Sequence, residues 1–282
     1  MTRVGFVGLG NIGRPMALRL ASGADDLHVH DVAPEPVAEL VAAGATAAGS
    51  VAQAAAESDV LCVMVRDDDQ VREVLDEALG AAHPGLVVAV HSTVSPSAPH
   101  RLEAAAARHD VLVVDAPVSG GAMGAADGTL AILVGGSGPA YAAARPVLER
   151  MGSLVVHAGP IGAGTRMKLA RNLMHFVAFT AATEAQRLAE ASGLDLRTLG
   201  KVVRHTDAVT GGPGAIMHRD TAAPIPEDDF WFGVLDHVRA LGEKDLRFAT
   251  DLADQLGVDV PLARLALDRL GPGLGLPPQE HS

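Results

Sequence analysis

Only three of the 22 basic residues in this 282-residue chain are lysines: Lys168, Lys201 and Lys244. Elsewhere positive charge is supplied by Arg, so a retained Lys is a candidate for work that only an amine can do. A guanidinium keeps its proton in a protein, whereas a desolvated amine can release one. Lys168 lies in Gly162-Ala163-Gly164-Thr165-Arg166-Met167-Lys168-Leu169-Ala170-Arg171-Asn172. Met167, Leu169 and Leu173 beside it are apolar, and Asn172, four residues on, shares its helix face. In such surroundings a Lys can have a lowered pKa and act as a general acid/base. The simpler reading is a helix-face Lys with a solvated head. The scarcity of Lys and the position of the segment favour chemistry.

A second constellation opens the chain. Val4 to Val7 reads as a buried strand, and Gly8-Leu9-Gly10-Asn11-Ile12-Gly13 follows it at once. Helix-spaced apolar residues Met16, Ala17, Leu20 and Ala21 come next, then a second strand, Leu27 to His30, ending in Asp31. Gly8 permits a tight turn, Gly10 lets a pyrophosphate approach the backbone, and Gly13 lets helix and strand pack closely. The helix start supplies free N–H groups. Asp31 falls where the acid for an adenosine ribose is expected, while capping of the next helix, through Pro34, is its alternative role. A carboxylate there, with Glu35 near it, would repel a 2′-phosphate, so NAD is expected over NADP. Arg66, on a neighbouring loop, could blunt that preference.

A third segment, Asp115-Ala116-Pro117-Val118-Ser119-Gly120-Gly121, follows the apolar run Val111–Val114. Ligands bind at the carboxyl ends of parallel strands. Ser119 with Gly120 and Gly121 offers a hydroxyl and exposed N–H groups, a candidate carboxylate nest. A plain loop is the alternative.

The elements that must hold these groups alternate in the first half. Strands are expected at Arg3–Val7, Leu27–His30, Val60–Val65, Leu86–Val90, Val111–Val114, Leu130–Val134 and Leu154–Val156. Helices are expected at Pro34–Ala43, Gln70–Leu79, Ser95–Arg108 and Pro139–Met151. Continuous apolar strands separated by helices imply an α/β fold with a mostly parallel, doubly wound sheet. The alternation stops near Gly159. Helices are then expected at Ala163–Ser192, Asp195–His205, Leu235–Leu256 and Pro261–Leu270, with a loop over Thr206–Ile225 and a poorly ordered tail after Gly271. The chain thus divides into an α/β domain, 1–160, and an all-helical domain, 161–282, joined by a long helix.

Composition narrows the class. Apolar residues make up 48% and aromatics 3%, so Ala, Val and Leu must fill the core. A net charge of −12 argues against a nucleic-acid surface. The longest apolar run, Leu173–Ala182, is too short to span a bilayer. Charged Arg3 and a turn motif arrive too early for a signal pattern. The one cysteine, Cys62, sits in a strand-like run and reads as a buried thiol. A cytoplasmic location is expected, and the scattered His residues suggest no metal site. Phe230, Trp231 and Phe232, the sole aromatic cluster, either shape a pocket or fill the core.

Taken in order, these motifs resemble those of the β-hydroxyacid dehydrogenase family, which includes 3-hydroxyisobutyrate dehydrogenases and tartronate semialdehyde reductases. Gly5 to Gly13 resembles the cofactor fingerprint, Asp115–Gly121 the substrate signature, and Gly162–Asn172 the catalytic segment. Lys244-Asp245-Leu246 resembles a late Lys-Asp-Leu motif. The resemblance implies a Rossmann domain and a helical domain with the active site between them, and a homodimer or homotetramer. It makes Lys168 the acid/base and Asn172 the orienting residue, with Ser119, Gly120 and Gly121 on the carboxylate of a small hydroxyacid or semialdehyde. Gly8, Gly10, Asn11, Ile12, Gly13, Asp31, Val65, Arg66, Thr93 and Lys244 would contact NAD(P).

Two loops depart from the family pattern. Met64-Val65-Arg66 stands where Met-Leu-Pro is frequent, and Val90-His91-Ser92-Thr93 where Asp-x-Ser-Thr is. An imine reductase shares the architecture, but such enzymes typically lack the catalytic Lys. A non-catalytic NAD-binding sensor would not need Lys168, Asn172 and the glycine nest together. In a 6-phosphogluconate enzyme His precedes the Asn, where this chain has Arg171.

Overall fold

The computed structural model describes residues 2–23 and 26–277. β1 (Arg3–Val7) leads through the glycine turn into α1 (Gly13–Ala21), followed by β2 (Asp26–His30), α2 (Pro34–Ala42), β3 (Thr46–Ala47), α3 (Val51–Ala56) and β4 (Val60–Val63). Then come α4 (Asp68–Leu79), β5 (Val87–Val90), α5 (Ala98–Ala106), β6 (Leu112–Asp115), β7 (Val118–Ser119), α6 (Gly121–Asp127), β8 (Ala131–Gly135), α7 (Gly138–Met151) and β9 (Leu154–Gly159).

Among the described residues nine strands form one sheet, in the order β3-β2-β1-β4-β5-β6-β8-β7, with β9 paired to β8. The run from β3 to β6 is parallel throughout. β8 runs antiparallel to β6 and β7 and parallel to β9. The strands are apolar at successive positions because both faces are covered. Phe6, Cys62 and Ala89 face one core with Met16 and Leu20 of α1, Leu40 of α2 and Leu148 of α7. Val7, Val63 and Val90 face the other, with Ala54 of α3, Leu75 of α4 and Leu102 of α5. Burying each large apolar side chain contributes about 1.5–3 kcal/mol. Chain order reverses between β1 and β4, and at such a reversal a crevice opens beyond the carboxyl ends of the strands.

After β9 the described residues are helical: α8 (Ala163–Ala191), α9 (Leu196–Thr210), α10 (Phe230–Leu256) and α11 (Pro261–Gly273). Asp195 and Asp229 cap α9 and α10 by accepting the N–H groups of Thr198 and Trp231. Two compact units result, one up to Arg171 and the other from Asn172, so the first turns of α8 belong with the sheet.

Several expectations need correction. The loop expected from Thr206 starts only at Gly211, since α9 continues to Thr210. The Thr206 and Thr210 hydroxyls donate to carbonyls within α9. The tail is packed further than expected. α11 reaches Gly273, and Leu274 and Leu276 are buried with Ile225 and Leu235. Residues 278–282 lie outside the described residues. Trp231 and Phe232 pack on that same cluster, whereas Phe230 is 77% exposed, so the core reading holds for two of the three aromatics.

Candidate active site

The glycine turn is built as its residue types require. Gly8 has φ +94°, a conformation that L side chains rarely adopt, and a Cβ there would strike the Met64 carbonyl. At Gly13 a Cβ would strike the Gly8 carbonyl, so the N-terminus of α1 sits directly on the turn. A Cβ on Gly10 would meet nothing within 4 Å, leaving its backbone open to a ligand. Beyond these residues a cavity of about 400 Å³ is lined by Gly8, Gly10, Asp31, Val65 and Arg66, five of the expected cofactor residues. It lies at the crevice where the strand order reverses. An open glycine backbone, a carboxylate and apolar walls fit a dinucleotide.

Asp31 is tied into this loop. One of its oxygens accepts the Leu9 N–H at 2.5 Å and the other the Ala33 N–H at 2.8 Å. The helix α2 begins at Pro34, after Ala33, with no side-chain cap, so Asp31 does not cap it in the way the alternative reading required. Arg66 is exposed and bonds Asp67 at 3.0 Å. Ser92 clasps the backbone of Val65 from both sides, donating to its carbonyl at 2.7 Å and accepting its N–H at 3.0 Å. This clasp joins the loops after β4 and β5 and leaves Thr93 exposed. At the departure from the family loop, Val90 is buried in the apolar core and His91 is 1% exposed. His91 Nδ1–H donates to the Ala116 carbonyl at 2.9 Å, and its ring stacks on Phe6. Burial pushes its pKa down to about 4, so it is neutral near pH 7.

Ser119 ends β7, and Gly120 (φ +136°) and Gly121 (φ +65°) turn the exposed chain into α6. Lys168 sits on the first turns of α8 and is 8% exposed. Lys201 is exposed, and Lys244 pairs with Asp245 at 3.2 Å in α10, so Lys168 is the single buried lysine. Burial, and then the charge of Arg171, lower its pKa from the ordinary lysine value. No carboxylate pairs with it among the described residues. Asn172, one turn on along α8, opens the second unit, where Lys244 also lies.

Sequence reasoning missed several cavity residues. Gln70, Glu73, Val74 and Glu77 also line the cavity, and their spacing places them on one face of α4. That spacing was a usable signal. Asp115 was read only as part of a motif. Its carboxylate is 1% exposed and accepts the N–H groups of Gly162 and Thr165 at 2.7 and 2.6 Å.

Comparison with known proteins agrees with this geometry. Residues 3–159 match the NAD-binding domain of 6-phosphogluconate dehydrogenase, and residues 162–270 the NAD-binding domain of NADP-dependent 3-hydroxyisobutyrate dehydrogenase. An uncharacterized oxidoreductase of Mycobacterium tuberculosis is 51% identical over 98% of this chain and 94% of its own. The NAD-dependent L-serine dehydrogenase of Pseudomonas aeruginosa is 36% identical over 95% of this chain and 90% of its own. A crystal structure from Mycobacterium avium superposes with TM-score 0.95 at 49% identity, covering 98% of this chain and all of that one. An imine reductase of Streptomyces aurantiacus, 21% identical with TM-score 0.76, shares the fold. The Rossmann crevice followed by a helical unit defines an NAD(P)-dependent dehydrogenase acting on CH–OH groups. Within that class the chain belongs to the 3-hydroxyisobutyrate dehydrogenase family.

Proposed function

We propose that this enzyme interconverts a small β-hydroxyacid and its semialdehyde or keto form, with Lys168 as general acid/base. One observation carries the reading: the single buried lysine has a lowered pKa, lacks a carboxylate partner and lies in the same compact unit as the dinucleotide cavity. When bound, the nicotinamide supplies or accepts the hydride. The protein supplies position and proton traffic. The neutral Lys168 amine takes the hydroxyl proton in oxidation, and its ammonium returns it in reduction. Asn172 orients the hydroxyl or the amine. The Ser119 hydroxyl and the Gly120 and Gly121 N–H groups hold the substrate carboxylate. Thr93 and Lys244 contact the nicotinamide side of the cofactor, and Asn11, Ile12 and Gly13 its pyrophosphate.

NAD is the preferred cofactor. Asp31, Glu73 and Glu77 line the cavity, and Arg66, a cation on its wall, is engaged by Asp67. A 2′-phosphate would meet more negative than positive charge there. The helical unit serves substrate binding and dimerisation, and the enzyme works in the cytoplasm as a homodimer or homotetramer. An assay of β-hydroxyacids and semialdehydes, read by NAD(P)H absorbance, tests the function. Turnover of at least one hydroxyacid is expected. Turnover of cyclic imines alone, or NADH binding without any turnover, overturns the reading.

A further inference from the structure

We infer that Asp115 is the positioning residue that holds Lys168 in place, by capping α8 from the end of β6. The inference rests on the reading of Lys168 as acid/base. The first turn of a helix has N–H groups without intrahelical partners. At α8 a single buried carboxylate satisfies one of them and the N–H of the residue just before the helix, since the Asp115 oxygens accept from Thr165 and Gly162. Those N–H groups flank the turn that side-chain caps normally serve from within the helix itself. Here the cap comes from a strand 47 residues away in sequence. Ala163 N–H completes the turn by donating to Pro160 at 2.9 Å.

The packing around this contact leaves α8 little freedom. A Cβ on Gly135, at the end of β8, would collide with the Asp115 carboxylate and lie 2.8 Å from the Ala163 and Gly164 nitrogens. A Cβ on Gly164 would strike the Leu133 carbonyl and come within 2.7 Å of the Asp115 carbonyl. The backbone of α8 is therefore seated directly on β6 and β8. Gly164, Thr165 and Lys168 are all buried, and their i, i+1, i+4 spacing puts them on the face that meets the sheet. Burial raises the pKa of the Asp115 carboxyl, and the bonds from Thr165 and Gly162 work against that rise. From Asp115 the chain runs on without a break to Ser119, Gly120 and Gly121. One residue thus ties the proposed carboxylate nest to the helix that carries the amine, and fixes their separation.

A double-mutant cycle tests this. Asp115→Asn keeps the shape but turns an amide N–H toward a helix N–H. It should cut kcat by about 10–100-fold, the scale of an ångström of misplacement. NADH affinity should stay near wild type, because the glycine loop is untouched. In a Lys168→Ala background the same change should cost little more, because its effect passes through the lysine. Should Asp115→Asn fail to fold, Gly135→Ala completes the same cycle, displacing the carboxylate while its charge remains. Wild-type kcat in these variants, or an equal fold-loss with and without Lys168, overturns the proposal while the reading of Lys168 stands. High activity of Lys168→Ala alone overturns both.

Discussion

On the proposed reading Asp31 serves the fold and the ligand together. Its oxygens each take one backbone N–H, from Leu9 and Ala33, and a carboxylate has further lone pairs for ribose hydroxyls. Asp31→Ser should weaken NAD binding and improve NADP use, so that the ratio of the two kcat/KM values moves toward NADP. Parallel loss with both cofactors would mean that Asp31 only braces the loop. His91 carries a different kind of prediction. Its folded pKa of about 4 lies below the ordinary 6.5, so between those values the unfolded chain binds the extra proton. Stability is therefore undiminished above pH 6.5 and falls as the pH drops toward 4, by about 3 kcal/mol in all. Urea unfolding should show about 2 kcal/mol of that loss between pH 7.5 and pH 5 in the wild type and lack most of it in His91→Gln. Equal slopes would contradict it. At this scale the sequence was legible where a residue acts on its near neighbours. The tight turn at Gly8, the close packing at Gly13 and the lowered pKa of Lys168 are as read. The Asp115 cap was not legible, because its partners become neighbours only once β6 and α8 have met.

The elements were legible where apolar spacing is sustained. β1 matches its expected span, and α10 was placed by its long periodic run, although its start moves from Leu235 to Phe230, where Asp229 caps it. The two-residue strands β3 and β7 and the short helices α3 and α6 were missed, because they are too brief to show a period. A distant cap recurs in the second unit. Glu184 of α8 is 4% exposed and accepts the Leu262 and Ala263 N–H groups, both at 2.9 Å, at the start of α11. Glu184→Ala would leave those half-buried donors without their carboxylate. A lost cap costs about 0.5–2 kcal/mol, and charged, buried partners lie at the upper end. Thermal or urea unfolding should show a drop on that scale. Unchanged stability would mean that water replaces the carboxylate freely.

At the scale of the whole molecule the helical unit leaves large apolar side chains in the open. Leu173, Phe176 and Phe179 of α8 and Phe248 of α10 are all more than half exposed. Under the proposed assembly a second copy of the chain covers them. Sedimentation at micromolar concentration should return two or four chains of 28.9 kDa each, and a stable single chain would contradict that assembly. The division into a sheet unit and a helical unit was visible in the sequence, since strand–helix alternation ends at Gly159. Its position inside α8 was not, because only packing shows that the turns up to Arg171 are seated on the sheet. The proposed acid/base role of Lys168 is tested by the pH dependence of kcat/KM in the oxidative direction. Oxidation needs the neutral amine, whose pKa burial holds below 10.5. The rate should therefore rise with pH and level off before pH 10.5 in the wild type. Lys168→Ala and Lys168→Arg should lose about 10²–10⁴ in rate together with that rise, while NADH binding is kept. A Lys168→Ala enzyme with most of the wild-type rate and the same pH limb would contradict the account.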